Sequence, residues 1–166
     1  MQRTLQNSLQ YGMRRQKEEI KQLQKNCPRF NMENMFLPDL SLFDDILLES
    51  DPHKLMFMLE TSTNNTINIR QACAVESAER RSGRHVILLI TSDMVDVCSD
   101  QLVSVLDLPD LLILHVNTSL LVRDTPLQTM FDDWRVGRSC CRVIHLSDIL
   151  RMAVLYRYGF FNNSPS

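Results

Sequence analysis

From residue 55 onward, short unbroken apolar runs alternate with longer stretches in which apolar residues recur every three or four positions. Leu55-Met56-Phe57-Met58-Leu59 is such a run, closed by the polar Glu60-Thr61-Ser62, and its shortness predicts a buried strand rather than a helix. Asn68 with Gln71 three residues on has the form of a capping box. Ala72, Cys73, Val75, Glu76, Ala78 and Glu79 then continue as a helix that ends near Gly83. Val86 to Ile90 predicts the next strand, closed by Thr91-Ser92-Asp93. A helix over Asp100 to Leu106 and a strand over Leu112 to Val116 complete the alternation.

Strand, helix, strand, helix, strand at this spacing is the pattern of right-handed crossovers in a parallel sheet, so the expected class is α/β, Rossmann-like. Ligands on such sheets bind at the carboxyl ends of the strands, which here carry Glu60, Thr61 and Ser62, then Thr91, Ser92 and Asp93. Glu60 and Glu76 read equally as ligand-facing or as solvated carboxylates, and Thr61 and Ser62 also suit a plain strand-to-loop cap. With only four glycines, and no Gly-x-Gly-x-x-Gly or Walker pattern, phosphate gripping by a glycine-rich loop is excluded.

Further on, Ser147 stands where a helix N-cap belongs, Asp148 falls in the first turn, and Gly159 marks the stop. On this three-turn helix Leu150, Val154 and Tyr158 form the packing face, while Asp148 and Arg151 share another. Spacing alone leaves that pair as an ordinary i,i+3 ion pair or as a pair presented to a ligand. Asp124-Thr125-Pro126 reads as a helix start.

The chain before residue 53 is different. Met1 to Asn26 carries six cations against two anions, a local charge of +4 that leaves −6 for the remainder. Leu5, Leu9, Met13, Ile20 and Leu23 lie near helical spacing. Two readings stay open: a solvated amphipathic helix capable of self-association, or a tail with little fixed structure. Pro28, Pro38 and Pro52 interrupt the following segment, so it reads as a linker with one helical turn near Phe43 to Leu47. The expected organisation is a stem and linker over residues 1–52 and a folded domain over residues 53–166.

Composition narrows the chemistry. A chain of 166 residues, 44% hydrophobic and 23% charged, suits one domain with a sizeable core. A net charge of −2 argues against a general nucleic-acid binder. The five cysteines form no C-x-x-C pair, and the neighbours Cys140 and Cys141 do not bond each other without strain. No metal site is expected from them. Apolar runs such as Val86 to Ile90 are far shorter than the roughly 20 residues of a membrane span, so neither anchor nor signal peptide is expected. Sequons occur at Asn64, Asn117 and Asn162. His85, His115 and His145 read as fold histidines and are assigned no catalytic role.

A resemblance adds to these readings. Ser147-Asp148-Ile149-Leu150-Arg151 followed by Leu155-Tyr156-Arg157-Tyr158-Gly159 resembles the segment leading to the Asp-x-Asp motif of alpha-1,4-glycosyltransferases of the lactosylceramide 4-alpha-galactosyltransferase type. Glu60-Thr61-Ser62, Cys73-Ala74-Val75-Glu76-Ser77-Ala78, and Asp124-Thr125-Pro126-Leu127 with Trp134 are similar to the same family in the same order, so the likeness runs from about residue 55 to 159.

The resemblance implies the nucleotide-sugar-binding half of a GT-A type glycosyltransferase, preceded by a polar helical stem. It implies transfer of a hexose from UDP-galactose or UDP-N-acetylgalactosamine to a glycosphingolipid acceptor with retention, in the Golgi. Asp148, Arg151, Glu60, Thr61 and Ser62 would bind the donor. Mn2+ would be held by the family's Asp-x-Asp, yet Gly159 is followed here by Phe160-Phe161-Asn162-Asn163-Ser164-Pro165-Ser166, without a carboxylate side chain. The half is therefore expected to be incomplete, and the chain as it stands inactive in transfer. The alternative is a non-catalytic fragment that binds a nucleotide or pairs with a partner protein.

Overall fold

The computed structural model describes residues 2–27, 34–137 and 140–159. In chain order its elements are α1 (Gln2–Gln24), β1 (Asn34–Phe36), a 3-10 turn (Leu40–Phe43), α2 (Asp44–Glu49), a second 3-10 turn (Pro52–Lys54), β2 (Leu55–Glu60), α3 (Ile69–Ser82) and β3 (His85–Ile90). There follow β4 (Met94–Asp96), α4 (Asp100–Leu106), β5 (Leu111–His115), α5 (Thr118–Val122), α6 (Gln128–Val136) and α7 (Arg142–Tyr158).

The main sheet is parallel, in the order β2-β3-β5, with Leu55 opposite His85 and Val86 opposite Leu111. This is a mixed α/β architecture compatible with a Rossmann-like fold. β3 takes the centre because Val86 to Ile90 are apolar without interruption and can be covered on both faces. Its alternation divides the core in two. Ile87 and Leu89 pack with Leu112, Leu114, Leu150 and Val154 on one face, and Val86, Leu88 and Ile90 with Val75, Leu102 and Val105 on the other.

Local sequence sets the helix boundaries. In α3, Asn68 Oδ1 accepts from Gln71 N at 3.0 Å and Gln71 Oε1 accepts from Asn68 N at 2.7 Å, the expected capping box. Gly83 stops the helix at φ 63°, a conformation that costs glycine little. Ser99 caps α4 by accepting from Leu102 N at 3.3 Å.

Three expectations differ from what is found. First, packing shows no boundary after Pro52. Leu9 and Met13 of α1, Leu40, and Leu47 of α2 are buried in the same cluster as Ile87 and Leu112. The expected linker contains β1, which pairs antiparallel with β4 through Met35 and Val95. The apolar stripe of α1 is long enough to cover a sheet flank, and burial there wins over solvation.

Second, the C-terminal helix begins at Arg142, five residues before the predicted Ser147 cap. The extra turn is held by Trp134, whose Nε1–H donates to Arg142 O at 3.0 Å while the Arg142 guanidinium lies 4.6 Å from the Trp134 ring centroid. Asp148 consequently sits in the second turn, beyond the strongest reach of the helix dipole. Gly159 ends the helix as expected, through close approach rather than a left-handed turn: a Cβ there would run into the Leu155 carbonyl.

Third, Asp124-Thr125-Pro126 forms a turn before α6 rather than its first residues, with Leu127 at the N-cap position. Thr125 Oγ1 accepts from Leu127 N at 3.2 Å. One feature was not legible in the sequence at all: Cys27 and Cys98, 71 residues apart, form a disulfide that ties the end of α1 to the loop before α4.

Candidate functional site

The carboxyl end of β2 carries the first group of candidate residues. Glu60 is buried, and both of its carboxylate oxygens are engaged within the protein: Oε1 accepts from Ser62 N at 2.7 Å and Oε2 accepts from the Gln71 side-chain amide. Gln71 thus performs two tasks, closing the capping box through its oxygen and gripping the strand end through its nitrogen. Glu60 fixes the turn that presents Thr61 and Ser62. Thr61 is buried against the first turn of α7, with its hydroxyl 3.5 Å from Val143 O, while Ser62 is half-exposed.

The neighbouring strand ends are polar as well. Thr91 N–H donates to Glu60 O at 3.1 Å, and Ser92 Oγ donates to Met94 O at 2.8 Å. His115 Nδ1 lies 3.1 Å from Ser92 O and its Nε2 lies 3.8 Å from Asp39 Oδ2. His85 pairs with Asp110 at 3.1 Å. Both histidines are engaged in holding loops.

On α7, Asp148 and Arg151 share a face as the spacing requires, joined at 3.2 Å with side chains 56% and 64% exposed. Packing separates them from the strand-end group. Asp148 lines a cavity of about 530 Å3 with Trp134, His145 and Met152. Arg151 lines another, of about 450 Å3, that runs beside β2. Glu60, Thr61 and Ser62 line neither. The five predicted donor residues therefore fall in two places, the carboxyl end of β2 and the exposed face of α7, and do not line a common cavity.

Two residues of the Leu155-to-Gly159 segment have structural duties. Arg157 donates from Nε to Leu121 O at 2.6 Å and from Nη2 to Leu120 O at 3.1 Å and Arg123 O at 2.7 Å, capping the carbonyl end of α5. Tyr158 stacks on Phe57 with ring centroids 5.3 Å apart, and its hydroxyl donates to Asp44. Burial first, then that hydrogen bond and the charge of Asp44, push the Tyr158 phenol well above its ordinary range. A donor to a distant carboxylate was not readable from spacing, because Asp44 and Tyr158 are joined only by the fold.

Cation chemistry finds little support here. Among the described residues no group of three or more His, Cys, Asp or Glu side chains is placed to hold a metal ion. Asp132 accepts from Gln128 Nε2 at 3.2 Å on an exposed face, and Asp133 lines the cavity of Trp134. The residues present do not fit a divalent-metal site. Cys140 and Cys141 are exposed thiols with sulfurs 3.2 Å apart, and their mutual hydrogen bond raises the Cys141 pKa.

No helix among the described residues is long and apolar enough to cross a membrane. Asn64 and Asn117 are exposed, and Asn117 Oδ1 caps α5 by accepting from Leu120 N at 3.2 Å; the sequon at Asn162 lies outside the described residues. Comparison with protein-family models, curated proteins and solved structures finds no match to this chain.

Proposed function

We propose that the chain is a nucleotide-sugar-binding half-domain similar to that of alpha-1,4-glycosyltransferases, taking the UDP moiety of UDP-galactose or UDP-N-acetylgalactosamine at the carboxyl ends of β2 and β3. The observation that carries this is the strand-end group. A parallel sheet directs its polar loops to one end, and there the buried Glu60, locked by Ser62 N–H and Gln71, holds Thr61 and Ser62 in a defined turn. Ser62 would bond the uridine or ribose. Arg151 lines a separate cavity beside β2 and is left out of this site.

In this reading the described residues bind a donor at the strand ends. Transfer to a glycosphingolipid, with Mn2+ and a Golgi location, belongs to the family resemblance, and the described residues supply no carboxylate set for the ion. Calorimetric titration of the protein with UDP and with UDP-galactose tests the proposal. Saturable binding of both, stronger than that of adenosine diphosphate, is expected. No heat of binding at millimolar ligand would sink it.

A further inference from the structure

Cys140 and Cys141 stand in the turn that leads into α7, both exposed, with sulfurs 3.2 Å apart. The other cysteines differ from them. Cys27 and Cys98 already share a disulfide, and Cys73 lies on α3, which covers the opposite face of the sheet from α7. Among the described residues the neighbouring thiols are thus the one pair that is reduced, in contact and open to a reagent.

The turn that carries them holds more than its own backbone. Cys141 is the N-cap residue of α7, at φ −114° and ψ 39°, and its carbonyl accepts from His145 N at 3.1 Å. One residue on, Arg142 O accepts from Trp134 Nε1, while the Arg142 guanidinium covers the Trp134 ring and donates to Gly137 O at 2.6 Å. Val143 O, in the same turn, lies 3.5 Å from the Thr61 hydroxyl. A movement of Cys141 is therefore felt at the end of α6 and at the end of β2, whatever ligand that strand end takes.

We propose that Cys140 and Cys141 form a redox site for small disulfides, and that closing the pair into a disulfide releases the first turn of α7. The chemistry is thiol–disulfide exchange. One cysteine thiolate attacks a reagent RS–SR, forming a mixed disulfide and expelling RS−. The second cysteine sulfur then attacks the first and expels the other RS−. Together the two thiols lose two protons and two electrons, the reagent leaves as two RSH, and excess thiol runs both steps backwards.

Closure acts on the turn because adjacent residues are poorly spaced for it. Neighbouring Cα atoms lie about 3.8 Å apart across a trans peptide, whereas disulfides ordinarily span about 4.4–6.8 Å between Cα atoms. The difference falls on the backbone dihedral angles of Cys140 and Cys141. The N-cap conformation is then lost, and with it the aim of the Cys141 carbonyl at His145 N and of the Arg142 carbonyl at Trp134. A disulfide closed against such resistance and open to solvent is of the readily reduced kind, whereas Cys27–Cys98, spanning 71 residues, is the structural cross-link.

Trp134, the only tryptophan of the chain, reports the event. The full chain is equilibrated over a series of oxidised-to-reduced glutathione ratios, remaining thiols are alkylated, and peptide masses, tryptophan emission and amide exchange are read at each ratio. The peptide holding Cys140 and Cys141 should become two hydrogens lighter and resist alkylation. In step with it, Trp134 emission should shift to the red as its N–H turns to water, and the His145 amide should exchange about tenfold faster or more. Excess reduced glutathione should restore all three. Cys140→Ser and Cys141→Ser should each stop at the mixed disulfide and leave His145 exchange unchanged. Mixed disulfides on both sulfurs without a ring would overturn the proposal, as would a ring that leaves Trp134 emission and His145 exchange as they were.

Discussion

Replacing Gln16 with alanine tests whether α1 belongs to the folded unit. Gln16 is 7% exposed, and its amide forms a two-way bridge to the backbone of Ile113, 97 residues away, at 2.6 and 2.9 Å. Both partners on Ile113 are buried and face away from β3, so no strand can replace the lost amide. Each hydrogen bond contributes about 1 kcal/mol net, while a buried donor or acceptor left without a partner costs about 1–3 kcal/mol. Together these give a loss of roughly 2–4 kcal/mol, with little change in the surface exposed on unfolding. Urea denaturation should therefore show a lower midpoint at unchanged slope. A solvated stem would contribute nothing here. A change below about 0.5 kcal/mol, the size typical of surface substitutions, would refute the packing of α1 against β5.

Cys27→Ser removes a cross-link spanning 71 residues and should cost about 4 kcal/mol under oxidising conditions, with no difference from the parent once both are reduced; thermal melts with and without reductant check this. Tyr158 holds its proton in the folded state at pH values where the unfolded chain has lost it, so its contribution is complete below about pH 10 and falls as pH rises further. Tyr158→Phe should lower the urea midpoint at neutral pH by the equivalent of about 1 kcal/mol and flatten its alkaline decline. Arg151→Ala breaks an exposed pair and should change stability by less than about 1 kcal/mol. Because Arg151 lines a different cavity from the strand-end group, the same variant should leave UDP affinity unchanged; severalfold weaker UDP binding would place Arg151 at the donor.

The regular elements of the sheet were legible because periodicity and cap residues act locally. Asn68, Gln71, Gly83 and Asp100 to Leu106 mark their helices through contacts only a few residues apart, and β2, β3 and β5 fall within a residue of the apolar runs that predict them. What depends on distant partners was not legible. The first turn of α7 needs Trp134 to reach Arg142, the burial of α1 needs the flank of β5, and the disulfide needs Cys98 brought beside Cys27. β1 and β4, three residues each, are too short to show a period. In the candidate site, the shared face of Asp148 and Arg151 followed from helical spacing, whereas the engagement of Glu60 by Gln71 required the fold to set a helix start against a strand end.

The proposed donor site is tested most directly by mapping UDP-galactose onto the backbone amide spectrum of the full chain. Shifts that saturate together at Thr61, Ser62 and Thr91 are the predicted result. Saturable shifts confined to another surface, such as the cavity lined by Tyr11 and Phe43, or none at millimolar ligand, would contradict it.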